Sequence, residues 1–214
     1  MHWWILRWMS TSPETPRRKL MRAPERSASI LAAAAAAFAA EGYEATSLDE
    51  VAAAAGVSKL ILYRHFGSKR ELYQAILDRM RERLDAVVPP AGPVSLADPA
   101  GAMRAAIDTL GQEFAIAREM PDAYRVLLRH ARREPEFAAY ARQVEDGSIT
   151  RIGAMLAGVA DPVVRAWLAG VVSSTVREAF LGWLDAGDPA RDEEMVRRTA
   201  YLLGAIVGSQ LKAV

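Results

Sequence analysis

Thr46-Ser47-Leu48-Asp49-Glu50-Val51-Ala52-Ala53-Ala54-Ala55-Gly56-Val57-Ser58-Lys59-Leu60-Ile61-Leu62-Tyr63-Arg64-His65-Phe66-Gly67-Ser68-Lys69 is the stretch whose reading decides the fold. Thr46 or Ser47 offers an N-cap, and Glu50, three residues after Ser47, completes the pattern of a capping box. The short helix that follows ends at Ala55-Gly56, and Ser58 caps the next one, which ends near Phe66-Gly67. Two short helices joined by a turn of this length cross steeply and approach closely. Ala52 supplies the small residue at the crossing, and Gly56 supplies a turn position tolerant of positive φ. Val51, Val57 and Leu62 are spaced to bury against each other and against Phe38. The second helix then projects its N-terminal residues outward, the arrangement with which helix-turn-helix proteins enter the DNA major groove. Taken alone, the spacing also suits an αα-hairpin that merely packs.

Upstream, Ile30, Leu31, Ala34 and Phe38 recur at helical spacing, and Glu41-Gly42 stops the run. Downstream, Ser68 opens a fourth helix with Glu71 at its N3 position and an apolar face of Leu72, Ile76, Met80 and Leu84. A linker with Pro89, Pro90, Pro93 and Pro99 follows. Beyond it, helices are expected at about 99–118, 122–132, 135–157, 161–186 and 190–212. Pro121, Pro135, Asp161-Pro162 and Gly187-Asp188-Pro189 divide them. No segment alternates with period two, so the expected class is all-α, with about nine helices in total.

Composition narrows the function. The 214 residues carry 27 Lys+Arg and 26 Asp+Glu, for a net charge of +1, and 51% are hydrophobic, enough for a sizeable core. Cysteine is absent, which excludes disulfides, thiolate metal sites and cysteine nucleophiles. Asparagine is also absent, so there is no N-glycosylation acceptor. Arginine outnumbers lysine 23 to 4, a bias consistent with a GC-rich bacterial genome. Residues 1–80 carry a net +3 and residues 81–214 a net −2, so the N-terminal part is where a polyanion docks more readily. Met1-His2-Trp3-Trp4-Ile5-Leu6-Arg7-Trp8-Met9 is too short and interrupted for a membrane span, and its basic cluster follows rather than precedes the apolar run of a signal peptide. Residues 1–23 read as a flexible extension, with a membrane-surface or partner anchor as the alternative. There is no phosphate-binding glycine loop, no Gly-x-Ser-x-Gly elbow and no His-Glu-x-x-His, so no enzyme, cofactor or metal is expected. His130 and Glu134 share a helical face, but a single such pair rarely holds a metal.

The block resembles the N-terminal domain of the TetR family of transcriptional regulators. The resemblance rests on Phe38-Ala39-Ala40-Glu41-Gly42-Tyr43, Thr46 through Ala52, Ala55-Gly56-Val57-Ser58-Lys59, Leu62-Tyr63-Arg64-His65-Phe66 and Ser68-Lys69-Arg70-Glu71-Leu72, about residues 25–75. It implies a three-helix DNA-binding domain over 24–70 and a helical effector-binding and dimerisation domain over 71–214. The implied protein is a cytoplasmic homodimer, a repressor on palindromic operator DNA released by a small apolar effector; the alternative is a helical interaction protein with degraded DNA binding. By position, Thr46 and Ser47 are implied phosphate contacts, as are Tyr63, His65 and Lys69, the last aided by the amides of its helix. Ser58 caps the recognition helix, and Lys59, Leu60, Ile61 and Arg64 occupy its reading positions. The family usually has small polar residues where Leu60-Ile61 stand. These two side chains either pack on thymine methyls or mark altered operator recognition.

The resemblance also implies a dimer contact made by the last two helices, where Val171, Ser174, Trp183, Leu202, Leu203 and Ile206 are the candidates. The same faces also suit the core of a single subunit. The effector pocket is expected among the middle helices. Its candidate wall comprises Met103, Ile107, Leu110, Phe114 and Tyr124, together with Leu127, Leu128, Met155, Trp167 and Phe180. The run Arg129–Glu134 reads as a solvated charged face.

Overall fold

The computed structural model describes residues 23–87 and 98–211. Among the described residues the chain is all-helical, with nine α-helices. The Trp-rich extension and Pro89, Pro90 and Pro93 lie outside the described residues.

Helix α1 (Ala23–Glu41) buries Ile30, Ala34, Ala35 and Phe38 along one face. It stops where Gly42 turns to φ 83°, and the Gly42 amide closes the end by donating to the Phe38 carbonyl at 3.0 Å. Helix α2 (Leu48–Ala54) and helix α3 (Lys59–His65) follow, joined through Gly56 at φ 68°. The Val57 amide donates back to Ala52 at 3.0 Å, which fixes the turn. Ser29 on α1 donates to the Ala55 carbonyl at 3.1 Å and ties α1 to the end of α2. The capping box expected at Ser47 and Glu50 does not form: Ser47 is the N-cap, yet its side chain accepts no cap bond. Its neighbour Thr46 turns inward instead and donates to the Gly42 carbonyl at 2.7 Å. A reciprocal cap forms at the next helix. The Glu71 amide donates to Ser68 Oγ, and the Gly67 amide donates to the Glu71 carboxylate, both at 3.1 Å.

Helix α4 (Lys69–Val87) continues the chain, and α5 (Pro99–Glu119) starts with Pro99 behind the N-cap Asp98. The single helix expected at about 122–132 is divided. Helix α6 (Pro121–Arg125) runs into a π-helical turn at Val126–His130, where the Ala131 amide reaches the Val126 carbonyl at 2.8 Å. Arg125 and Arg129, one turn apart, both grip Asp185 at 3.0 and 2.8 Å. Helix α7 (Ala138–Met155) begins later than expected because Phe137 is buried rather than helical. Helix α8 (Pro162–Ala186), a 3-10 turn at Pro189–Arg191 and α9 (Asp192–Leu211) complete the chain.

One core runs through both halves, from Ile30 and Leu62 to Leu110, Phe180 and Leu203. The boundary drawn between 70 and 71 falls inside α4, and no gap in the core marks it. At its centre Phe38, Tyr43, Tyr73 and Phe137 meet edge-on or stacked, with centroids 4.4–5.9 Å apart. Burying the rings of Phe38, Tyr73 and Phe137 stabilises the fold by roughly 1.5–3 kcal/mol each, and Tyr43 is half-buried. A smaller cluster of Leu156, Val159, Leu168 and Ala169 closes the α7–α8 hairpin. Among the described residues no helix is long and apolar enough to cross a membrane.

Tyr73 is fully buried, and its hydroxyl has no hydrogen-bond partner. An unsatisfied buried hydroxyl costs about 1–3 kcal/mol. Tyr73→Phe is therefore expected to raise the unfolding free energy by about 1 kcal/mol, read as a shift of the urea midpoint at unchanged m-value. A lower midpoint would show that the hydroxyl has a partner.

Candidate functional site

The surface of α3 is organised by one inward residue. Leu62 is completely buried, and its neighbours point away from it. Leu60 is 70% exposed and Tyr63 41% exposed; Arg64 is exposed, and Ile61 and His65 are half-buried. Ser58 accepts the Ile61 amide at 3.3 Å and so caps the helix. Lys59 pairs with Asp49 at 2.7 Å; both are exposed, and the carboxylate raises the lysine's pKa. Lys69 donates to the Glu44 carbonyl at 2.8 Å and lies 5.1 Å from the Tyr43 ring centroid. Its ammonium is thereby held beside the first turn of α4, at the same end of the fold as α3. Ser47 is half-buried, and Thr46 is 4% exposed with its hydroxyl committed to Gly42. The sequence-predicted contacts are therefore unequal: Leu60, Tyr63, Arg64 and Lys59 face outward, Lys69 is half-buried with its ammonium on the Glu44 carbonyl, and Thr46 serves the fold.

A cavity of about 840 Å³ lies between α4, α5, α6, α7, α8 and α9. Of the residues expected at an effector pocket, Met103, Leu110, Tyr124, Leu128 and Met155 line this cavity. Ile107, Phe114, Leu127, Trp167 and Phe180 do not. Phe114 and Phe180 pack against each other in the core at 4.9 Å, Leu127 is buried, and Trp167 is 56% exposed on the outside of α8.

Sequence reasoning missed the polar wall: Arg81 and Asp85 from α4, Glu113 from α5, Glu145 and Arg151 from α7, and Arg177 from α8. Arg151 and Arg81 share Asp85 at 3.2 and 3.4 Å, and Arg177 holds Glu145 at 2.7 Å. Glu113 accepts one hydrogen bond, from the Tyr124 hydroxyl at 3.3 Å. Burial pushes the Glu113 carboxyl up to about 7, against the opposing pull of Tyr124 and Arg151. The Tyr124 hydroxyl is raised well above its ordinary range by burial and by Glu113. A signal was present in the sequence: Glu113 shares the i, i+3, i+4, i+7 stripe of Leu110, Phe114 and Ala117, so a charge stood on a buried face.

The charged run at 129–134 is not simply solvated. Arg129 grips Asp185, and Arg132 pairs with Glu145 at 2.9 Å. Burial and the adjacent Arg129 and Arg133 lower the pKa of His130.

Residues 30–76 match the family model for bacterial regulatory proteins of the tetR family. This N-terminal domain belongs to the TetR family. The chain is 50% identical over 60 residues to the HTH-type transcriptional activator FasR of Mycolicibacterium smegmatis, covering 28% of this chain and 27% of FasR. It is 34% identical over 119 residues to the HTH-type transcriptional repressor Rv3405c of Mycobacterium tuberculosis, covering 55% and 59%. These matches thus span less than two thirds of either relative. A TetR-like transcriptional regulator from Rhodococcus sp. RHA1 has the same fold, with a TM-score of 0.72 at 24% identity over 92% of this chain and 100% of that one. The fold of AibR, solved with isovaleryl coenzyme A and operator DNA, matches with a TM-score of 0.59 at 20% identity over 83% and 97%.

The residues expected at a dimer contact divide into two groups. Leu202 is 51% exposed, and Val171, Ser174 and Ile206 are half-buried. Leu203 belongs to the core, and the Trp183 indole N–H donates to Asp192 at 2.7 Å within its own chain. Two further apolar residues of α8, Val163 and Trp167, are 76% and 56% exposed, and Tyr201 on α9 is 61% exposed.

The raised carboxyl has a consequence for stability. The folded state holds a proton on Glu113 that the unfolded chain, with an ordinary value near 4.5, has released. Stability from this group is therefore full below pH 4.5 and falls as pH rises toward 7. Glu113→Gln removes that loss. The variant should match the parent below pH 4.5 and exceed it above pH 7, by at most about 3 kcal/mol, less whatever water in the cavity screens. Urea titrations at pH 4 and pH 8 read the difference; an equal offset at both values contradicts the assignment.

Proposed function

We propose that this TetR-family chain is a transcriptional repressor that binds palindromic operator DNA as a homodimer and is released by a small, largely apolar effector in the cavity. Residues 24–70 act as the DNA-binding unit and residues 71–214 as the effector-binding and dimerisation unit, and the protein works in the cytoplasm, where the chromosome is. The observation that carries the reading is the polarity of α3: Leu62 locks it from behind at 0% exposure, while Leu60, Tyr63 and Arg64 stand free in front. A short helix so held presents a rigid surface to a groove. Ser47, Tyr63, His65 and Lys69 are positioned as phosphate contacts, and Lys59, Leu60, Ile61 and Arg64 as readers of base edges. Lys59 exchanges its exposed Asp49 partner for DNA at little cost, because both groups are already solvated. Leu60 donates no hydrogen bond, so it discriminates by packing on thymine methyls.

Dimerisation follows from the exposed apolar residues of α8 and α9, Val163, Trp167, Tyr201 and Leu202, with Val171, Ser174 and Ile206 beside them. Two recognition helices sit about 34–36 Å apart on successive turns of B-DNA. A ligand that binds better to a different spacing lowers operator affinity by its differential affinity for the two states. Helix α4 is the lever: Lys69 is at its start, and Arg81, Leu84 and Asp85 reach the cavity. The repressor Rv3405c among the relatives supports this direction of control.

Binding-site selection from random duplexes at low salt is expected to return a palindrome, and recovery of no duplex would leave the exposed Leu60 and Tyr63 as a protein-docking surface. Lys69→Ala should weaken all duplexes alike and lower the salt slope by about one unit. Leu60→Ala should alter base preference at unchanged slope. Trp167→Arg combined with Leu202→Arg should sediment as a monomer and lose the palindrome; a variant that remains dimeric moves the interface elsewhere.

A further inference from the structure

The cavity wall carries six charged side chains, three of each sign, and their pairing is uneven. Asp85 serves Arg151 and Arg81, and Glu145 serves Arg177 from within the cavity and Arg132 from outside it. Each arginine of the wall therefore has a carboxylate. Glu113 does not have a cation: among the described residues its bond is to the Tyr124 hydroxyl, a neutral donor at 3.3 Å. Arg151 is close enough to favour the ionised form, but it is held by Asp85 and does not pair with Glu113. The rest of the wall near α5 and α6 is apolar, with Met103, Leu110, Leu128 and Met155.

Resting on the reading of this cavity as the effector site, we propose that its ligand is a bulky apolar organic cation, of the quaternary ammonium or phosphonium kind, whose charge pairs with the Glu113 carboxylate that Tyr124 orients. A charge pair in a site shielded from water is far stronger than the same pair outside. An anionic ligand would approach Glu113 against like charge and would have to pull an arginine from a carboxylate it already holds. A neutral apolar ligand gains nothing from Glu113. The cavity volume of about 840 Å³ admits a cation carrying several rings.

The titratable and charged groups that line the cavity with Glu113 are Arg81 and Asp85 on α4, Tyr124 on α6, Glu145 and Arg151 on α7, Arg177 on α8 and Tyr201 on α9. Burial holds the Glu113 carboxyl at about 7, so the ionised form that a cation selects grows across neutral pH.

Tetraphenylphosphonium and tetraphenylborate have nearly the same shape and apolar surface and opposite permanent charge, which makes them the probes of choice. Calorimetric titration of the full chain at pH 8 should give a phosphonium affinity at least about tenfold above that of the borate. Glu113→Gln should lower phosphonium affinity by about tenfold or more and leave the borate unchanged or tighter. Because neither ion titrates, phosphonium affinity of the parent should rise by up to about tenfold between pH 6 and pH 8, and stay flat in Glu113→Gln. Tyr124→Phe retains the carboxylate and should keep the preference for the phosphonium, which guards against a Glu113→Gln chain that fails to fold. Equal affinities, a preference for the borate, or no phosphonium binding at millimolar concentration overturns the proposal. Operator affinity is measured separately with phosphonium present. Charge-selective binding that leaves operator affinity unchanged upholds the cation site and removes the effector role from the proposed function.

Discussion

Four aromatic rings hold the two ends of this molecule in one body. Phe38 comes from α1, Tyr43 from the turn after it, Tyr73 from α4 and Phe137 from the segment before α7. Their edge-on contacts fix the angle at which α4 leaves the helix-turn-helix unit, and every later placement inherits that angle. The Tyr43 ring also lies against the Lys69 ammonium, so the packing that orients α4 sets the position of its first cation. A core built this way transmits displacement because close-packed rings do not compress. The unpaired Tyr73 hydroxyl, buried at the centre of the cluster, shows that ring geometry prevailed over hydrogen-bond satisfaction at this point.

Helix α4 then becomes the mechanical element. Its 19 residues span about 28 Å at the α-helical rise. One end carries Lys69 beside α3, and the other carries Arg81 and Asp85 into the cavity. Asp85 is shared between Arg81 on the same helix and Arg151 on α7, so a change at the cavity alters what holds the far end of α4. On the opposite side, Asp192 accepts both the Arg118 guanidinium and the Trp183 indole, which joins α5, α8 and α9 into a rigid back wall.

The helix-turn-helix unit was legible because its local signals and its packing agree. Gly42 and Gly56 both adopt positive φ where a chain reversal was read, and Ser58 caps α3 as its position implied. Legibility fell at the start of α2. Ser47 occupies the N-cap without a side-chain bond, while the Thr46 hydroxyl donates back to the Gly42 carbonyl, a bond that the capping pattern does not encode. The π turn was hidden because its residues are ordinary helix formers, and the Asp185 that pairs with Arg125 and Arg129 around it is distant in sequence. Among pocket residues, the apolar ones were named by their stripe, but a stripe does not say which of its members meet a void. Phe114 and Phe180 fill the core against each other, whereas Met155 and Leu128 reach open space. Glu113 was passed over because charge was read as surface. Arg177, like Glu113, lines the cavity, beside Val176.

The buried carboxylate joins stability to control. Enclosing Glu113 without a cation costs the fold free energy whenever the group is ionised, and the cost appears as its displaced titration. Apolar replacement would make a more stable cavity, as it commonly does for buried polar groups. A complementary cation instead relieves the penalty on binding, so its affinity includes a contribution that no neutral molecule of equal size obtains. That contribution is largest in the conformation that holds the carboxylate driest. Closure of α4 over the cavity would exclude the remaining water, so the ligand favours whichever position of α4 encloses it best. In the proposed cation complex, selectivity for charge and the direction of the conformational shift would arise from the same desolvation.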